Sequence, residues 1–95
     1  MPVTRINQFQ APPDKGPALR DFLRSIISRV LDAPGCRSCE LLAHHDDPTQ
    51  FAIIEVWESI ADHQASVTRI PPELLQQART LFAAPPKGTY YEPVA

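Results

Sequence analysis

Three side chains in this sequence are of types that could move a proton and hold an oxygen atom in apolar surroundings: Asn7, Trp57 and His63. His63 offers a base whose ordinary pKa lies near neutrality. Asn7 brings an amide able to donate to a carbonyl or superoxide-like oxygen, and Trp57 an aromatic wall with one N–H donor. Each also has an ordinary structural alternative: an amide bonded to nearby backbone, a core tryptophan, a histidine at the solvent edge of a helix. Cys36-Arg37-Ser38-Cys39 has redox spacing. Such a pair works at a helix N-terminus, where the dipole stabilises a thiolate, whereas this one enters a strand, which is expected to send the thiols to opposite faces. Zinc would need two more ligands, and His44 and His45 stand at no recognisable spacing. His44-His45-Asp46-Asp47 reads as a solvated hairpin tip.

The elements that must carry these groups are organised around Gln50–Trp57, QFAIIEVW, a run of aromatic and β-branched residues bounded by Asp46-Asp47-Pro48-Thr49. It reads as a strand with Phe51, Ile53, Glu55 and Trp57 on one face and Ala52, Ile54 and Val56 on the other. Both faces are mainly apolar, and a chain of 95 residues has helix enough to cover only one of them. Val3–Gln10, ended by Ala11-Pro12-Pro13, is a second strand. Leu19, Phe22, Leu23, Ile26, Ile27, Val30 and Leu31 recur at helical spacing after Asp14, a plausible N-cap, and Pro34-Gly35 stops that helix.

Cys36–His44 and the Gln50 strand form a predicted hairpin across His45–Thr49. Ser59–Thr68 is a short helix with Ser59 as cap and Ile60, His63 and Val67 on one side. Pro71-Pro72 opens a further helical segment whose apolar stripe is Leu74, Leu75, Ala78, Leu81 and Phe82. Pro85-Pro86 closes it, and Gly88-Thr89-Tyr90-Tyr91 is a last strand in which only one tyrosine can face inward. The order β-α-β-β-α-β is an α+β, ferredoxin-like arrangement: an antiparallel sheet with its helices on one face. The bare face is expected to pack on a second copy, giving a homodimer.

Composition narrows the partners. With 43% hydrophobic residues the whole chain, 1–95, reads as one domain. A net charge of −2 and scattered lysines and arginines provide no basic stripe for nucleic acid or anionic membrane. The N-terminal stretch lacks the pattern of a leader, no apolar run reaches the roughly 20 residues that span a bilayer, and a cytoplasmic location is expected. No phosphate loop or dinucleotide fingerprint occurs, so neither nucleotide nor flavin is expected.

Four stretches, in order along the chain, resemble the antibiotic-biosynthesis monooxygenase superfamily of dimeric α/β-barrel proteins. They are Ile6-Asn7-Gln8-Phe9 before Pro-Pro, Pro34-Gly35-Cys36, Asp47-Pro48-Thr49-Gln50-Phe51 running to Glu55-Val56-Trp57-Glu58-Ser59, and Tyr90-Tyr91-Glu92-Pro93. The resemblance implies a dimer of ferredoxin-like units, each with a pocket between sheet and helices, and oxygenation of phenols, anthrones or quinols without metal or flavin. A deprotonated substrate can itself donate the first electron to O2, so no cofactor is expected. The protein would supply a base, His63, an amide, Asn7, and an apolar wall of Trp57, Phe9, Phe22 and Ile26. Arg5 shares a strand face with Asn7 and is expected to pair with Glu55, or else with an anionic substrate. Two other readings stay open: a non-catalytic dimeric domain that binds a small hydrophobic molecule, and a haem-degrading protein. The latter would match Asn7 and Trp57 but place its axial histidine near Val67.

Overall fold

The computed structural model describes residues 2–94. Its elements are β1 (Val3–Gln10), α1 (Gly16–Leu31), β2 (Cys36–Ala43), β3 (Gln50–Trp57), α2 (Ile60–Val67), α3 (Pro72–Arg79) and β4 (Lys87–Tyr91). The four strands form one antiparallel sheet in the order β2-β3-β1-β4. This is the ferredoxin-like arrangement, with its second helical element in two pieces. The break falls at Pro71-Pro72, because proline cannot donate the helical N–H bond and restricts the residue before it. The sheet of a single chain is open and does not close into a barrel.

The hydrophobic pattern is realised where period and burial agree. Along β3, Phe51, Ile53, Glu55 and Trp57 are buried, while Ala52, Ile54 and Val56 on the opposite face are half-buried. Leu19 and Leu23 of α1 are fully enclosed, and Phe22 is 8% exposed. They pack with Phe9, Phe51, Ile53, Ala78 and Leu81 into the main core. Complete burial contributes roughly 1.5–3 kcal/mol for each such leucine. Val3, Ala33 and Trp57 form a smaller core beside it. Both cores lie between the sheet and the helices.

Of the two expected helix caps, one is corrected and one is found. Asp14 does not cap α1; the helix starts after Lys15 with no side-chain cap, and its first turn carries Pro17, whose missing N–H needs no partner there. Ser59 does cap α2, its Oγ accepting from the Asp62 N–H at 3.1 Å.

Gly35 has φ +86°, and a Cβ placed there would lie 2.5 Å from the Asp62 carboxyl group. Gly35→Ala therefore combines a left-handed penalty of about 1–2 kcal/mol with a clash. We expect a loss at least that large in urea unfolding; an unchanged midpoint would show that the turn relaxes freely.

Candidate active site

A cavity of about 680 Å³ opens between the inner sheet face and the three helices. Asn7, Phe9, Phe22, Ile26, Trp57 and His63, scattered over 57 positions of sequence from 7 to 63, all line it. Register explains the convergence. Val3, Arg5, Asn7 and Phe9 of β1 stand opposite Trp57, Glu55, Ile53 and Phe51 of β3, so all eight share the face that the helices cover.

His63 sits one turn into α2, where the Ser59 cap fixes the start of the helix. It is 9% exposed. Its Nδ1 is 2.5 Å from the Tyr90 hydroxyl, and its ring meets Trp57 edge-on with centroids 5.4 Å apart. Burial, reinforced by the nearby Arg5 charge, lowers its pKa to about 4. His63 is therefore a neutral imidazole at pH 7, held by an aromatic ring and a phenol. The choice between the two tyrosines is made by pairing: Tyr90 stands opposite Arg5 on the inner face, and Tyr91 opposite Thr4 on the outer one.

Trp57 is fully buried and its N–H is already engaged, donating to Glu55 Oε1 at 2.8 Å. It is a wall of the cavity, with no donor to spare for a ligand. Burial raises the Glu55 pKa, partly offset by the Trp57 hydrogen bond and the Arg5 charge. The expected Arg5–Glu55 ion pair is absent among the described residues. Arg5 instead lies along β4, its guanidinium carbon 4.9 Å from the centre of the Tyr90 ring, in space left by Gly88, where any Cβ would strike it.

Asn7 is the unusual member. Its Oδ1 is buried with no hydrogen-bond partner, the sole such side-chain atom among the described residues. An interior acceptor left this way costs about 1–3 kcal/mol.

The cysteines also differ from expectation. The β2–β3 register shifts between Cys36 and Ser38, so Cys36 stands opposite Trp57 and Cys39 opposite Glu55, both on the inner face. A bulge inserts one residue and cancels the alternation that would have separated them. Both remain free thiols. Burial and the Glu55 charge raise both pKa values, that of Cys39 to about 12, the reverse of what a redox pair needs. His44 Nδ1 accepts two backbone N–H bonds within its own loop, from Asp46 and Asp47, and no three potential ligands cluster for a metal ion among the described residues.

The family model for antibiotic biosynthesis monooxygenase matches residues 2–83. The chain belongs to the antibiotic biosynthesis monooxygenase family. Solved structures agree over nearly the whole length. Rv0793 from Mycobacterium tuberculosis is 26% identical with a TM-score of 0.85, covering 100% of this chain and 97% of its own. Two proteins carrying the family's name, from Nitrosomonas europaea and Chloroflexus aurantiacus, are 26% and 29% identical with TM-scores of 0.82 and 0.81. Each comparison covers 100% of this chain, and 100% and 95% of those chains respectively. No curated protein matches the chain.

Within this antibiotic biosynthesis monooxygenase domain, Val67, which has no lone pair to offer, lines the cavity where an axial histidine was expected for haem. No described helix is long and apolar enough to cross a membrane. Glu55 and Tyr90 are the site residues that sequence reasoning did not select. A carboxylate in the middle of an apolar strand was the signal available for Glu55; strand alternation allowed one of Tyr90 and Tyr91 to face inward, and only the register with β1 chose Tyr90.

Proposed function

We propose that the protein is a cofactor-independent monooxygenase of a small hydroxylated aromatic compound, a phenol, quinol or anthrone. The observation that carries this reading is the unpartnered Asn7 Oδ1 beside an apolar-walled cavity that also holds a neutral His63. Such a site lacks one thing, a polar partner for the amide. A ligand hydroxyl supplies it once the amide turns about its last bond and brings Oδ1 into the cavity, and after ionisation the amide N–H donates to the oxyanion.

His63 takes the hydroxyl proton, and Tyr90 orients the imidazole through Nδ1. The resulting anion gives an electron to O2, and recombination forms a carbon–oxygen bond. Loss of water then leaves one oxygen atom in the product and the other in that water, with all four electrons drawn from the substrate. Phe9, Phe22, Ile26 and Trp57 exclude bulk water, which would otherwise quench the charged intermediates.

The outer sheet face supports the proposed homodimer. Ile6, Ala52, Ile54 and Val56 lie half-exposed there, with Leu42 39% and Tyr91 52% exposed beside them. A second copy on this face would close the barrel that one open sheet cannot. Ile54→Asp, at the centre of the patch, should convert a dimer into a folded monomer by light scattering, since an unpaired charge at an interface core costs several kcal/mol. A monomeric parent protein at micromolar concentration would refute the pairing.

The test of activity is oxygen consumption in the presence of a panel of hydroquinones and anthrones. Uptake with one oxygen atom from 18O2 in the product is the expected result. Binding of the panel without any uptake would favour the reading as a non-catalytic carrier of small hydrophobic molecules.

A further inference from the structure

Arg5 is the most conspicuous group that the proposed reaction leaves unused. It lines the cavity, is half-buried, and makes no side-chain hydrogen bond or ion pair among the described residues. Stacking on Tyr90 occupies one face of its guanidinium plane and leaves the five in-plane N–H donors unanswered. The setting is cationic as well. Arg5, Arg29 and Arg69 line the cavity against Asp32 and Glu55, three positive groups to two negative, in a chain whose net charge is −2. Burial also favours the neutral form of Glu55.

We propose that the cavity takes an aromatic acid, its carboxylate received by Arg5 and its ring hydroxyl by Asn7. This deepens the hydroxylated aromatic substrate proposed above and rests on that reading. A planar guanidinium with a free fork matches a carboxylate in two parallel hydrogen bonds, which a point charge would not. Arg5 and Asn7 are alternate residues on one strand face, so their backbones are roughly 7 Å apart. That is the span of a benzene ring bearing polar groups at opposite ends. Gly88 keeps the space free: any side chain there would push the guanidinium out of place. The arrangement also links recognition to chemistry, because a carboxylate on Arg5 offsets the positive charge that disfavours protonation of His63.

The experiment is calorimetric titration at pH 7 with 4-hydroxybenzoate and with methyl 4-hydroxybenzoate, which differ in charge but share the ring and the hydroxyl. The acid should bind at least about tenfold tighter than the ester, as charge-assisted pairing implies. Arg5→Gln should remove that preference, weakening the acid at least about tenfold more than the ester. Arg5→Lys should restore it only in part. In the unaltered protein, raising the salt concentration should weaken the acid and not the ester, a result that does not depend on any variant folding.

Equal affinities, failure of both probes to bind, or a salt-insensitive preference would overturn the proposal. So would a preference that survives Arg5→Gln and disappears in Arg29→Gln/Arg69→Gln, because the anion would then sit elsewhere. A clear preference for the acid without oxygen uptake by any phenolic acid would sink the oxygenase reading and keep this one. Oxygen uptake that ignores the carboxylate would do the reverse.

Discussion

Replacement of His63 by Ala should lower oxygen uptake by about 10²- to 10⁴-fold, the usual consequence of losing a general base. The residue is well placed for that role: enclosed, braced edge-on by Trp57, and bonded through Nδ1 to Tyr90. With a pKa of about 4, His63 is neutral throughout the ordinary pH range, so the base form is always present. The acid limb of kcat/KM should therefore fall near pH 4, not near the ordinary histidine value of 6.5. So low a pKa makes the imidazole a weak base on its own. Proton transfer becomes favourable because the imidazolium forms beside the substrate anion and is paired with it at once. His63→Gln keeps volume and polarity without basicity and should show the same loss, which separates chemistry from packing. Wild-type turnover in both variants would remove His63 from the mechanism.

The same shift makes a stability statement with a definite sign. The histidine of the unfolded chain binds a proton near pH 6.5 while the folded one resists until about 4. Between those values the unfolded state holds more protons, so stability is complete above 6.5 and declines as pH falls toward 4. In His63→Gln this segment of the pH–stability curve should flatten.

Asn7→Leu should separate activity from stability in opposite directions. Leucine nearly matches asparagine in shape and removes the interior oxygen that has no partner. Stability should rise by about 1–3 kcal/mol, the cost of leaving such a group unsatisfied. Oxygen uptake should fall by about 10²- to 10³-fold, as when a donor to a developing oxyanion is removed. A fold that carries an avoidable internal cost at one point does so where function requires it. Urea unfolding together with oxygen electrode traces would check both halves. If Asn7→Leu were less stable than the parent, the amide would have a structural partner and the proposed site would lose its central group.

Much of the architecture was legible along the chain. The two-residue alternation in Gln50–Trp57 and the helical spacing of Leu19, Phe22, Leu23 and Ile26 both correspond to observed elements. These are local signals: the backbone period is written in adjacent residues, and burial of one face follows from it. The proline pairs marked boundaries for the same reason, since their effect on the backbone is covalent. The six residues expected at the site do line one cavity, because strand pairing brings the inward-facing positions of β1 and β3 together.

What tertiary structure alone decided were the partners. A single inserted residue at Cys36/Ser38 placed both cysteines on the inner face, against the expected alternation. Pairing with β1 turned Tyr90 inward and Tyr91 outward, and Arg5 found Tyr90 in place of Glu55. The neutral state of His63 and the unanswered oxygen of Asn7 belong to the same class. Local sequence determines the period of an element and the face it can bury. Desolvation and hydrogen-bond satisfaction are sums over neighbours far away in the chain, and they exist only once those neighbours have been brought into contact.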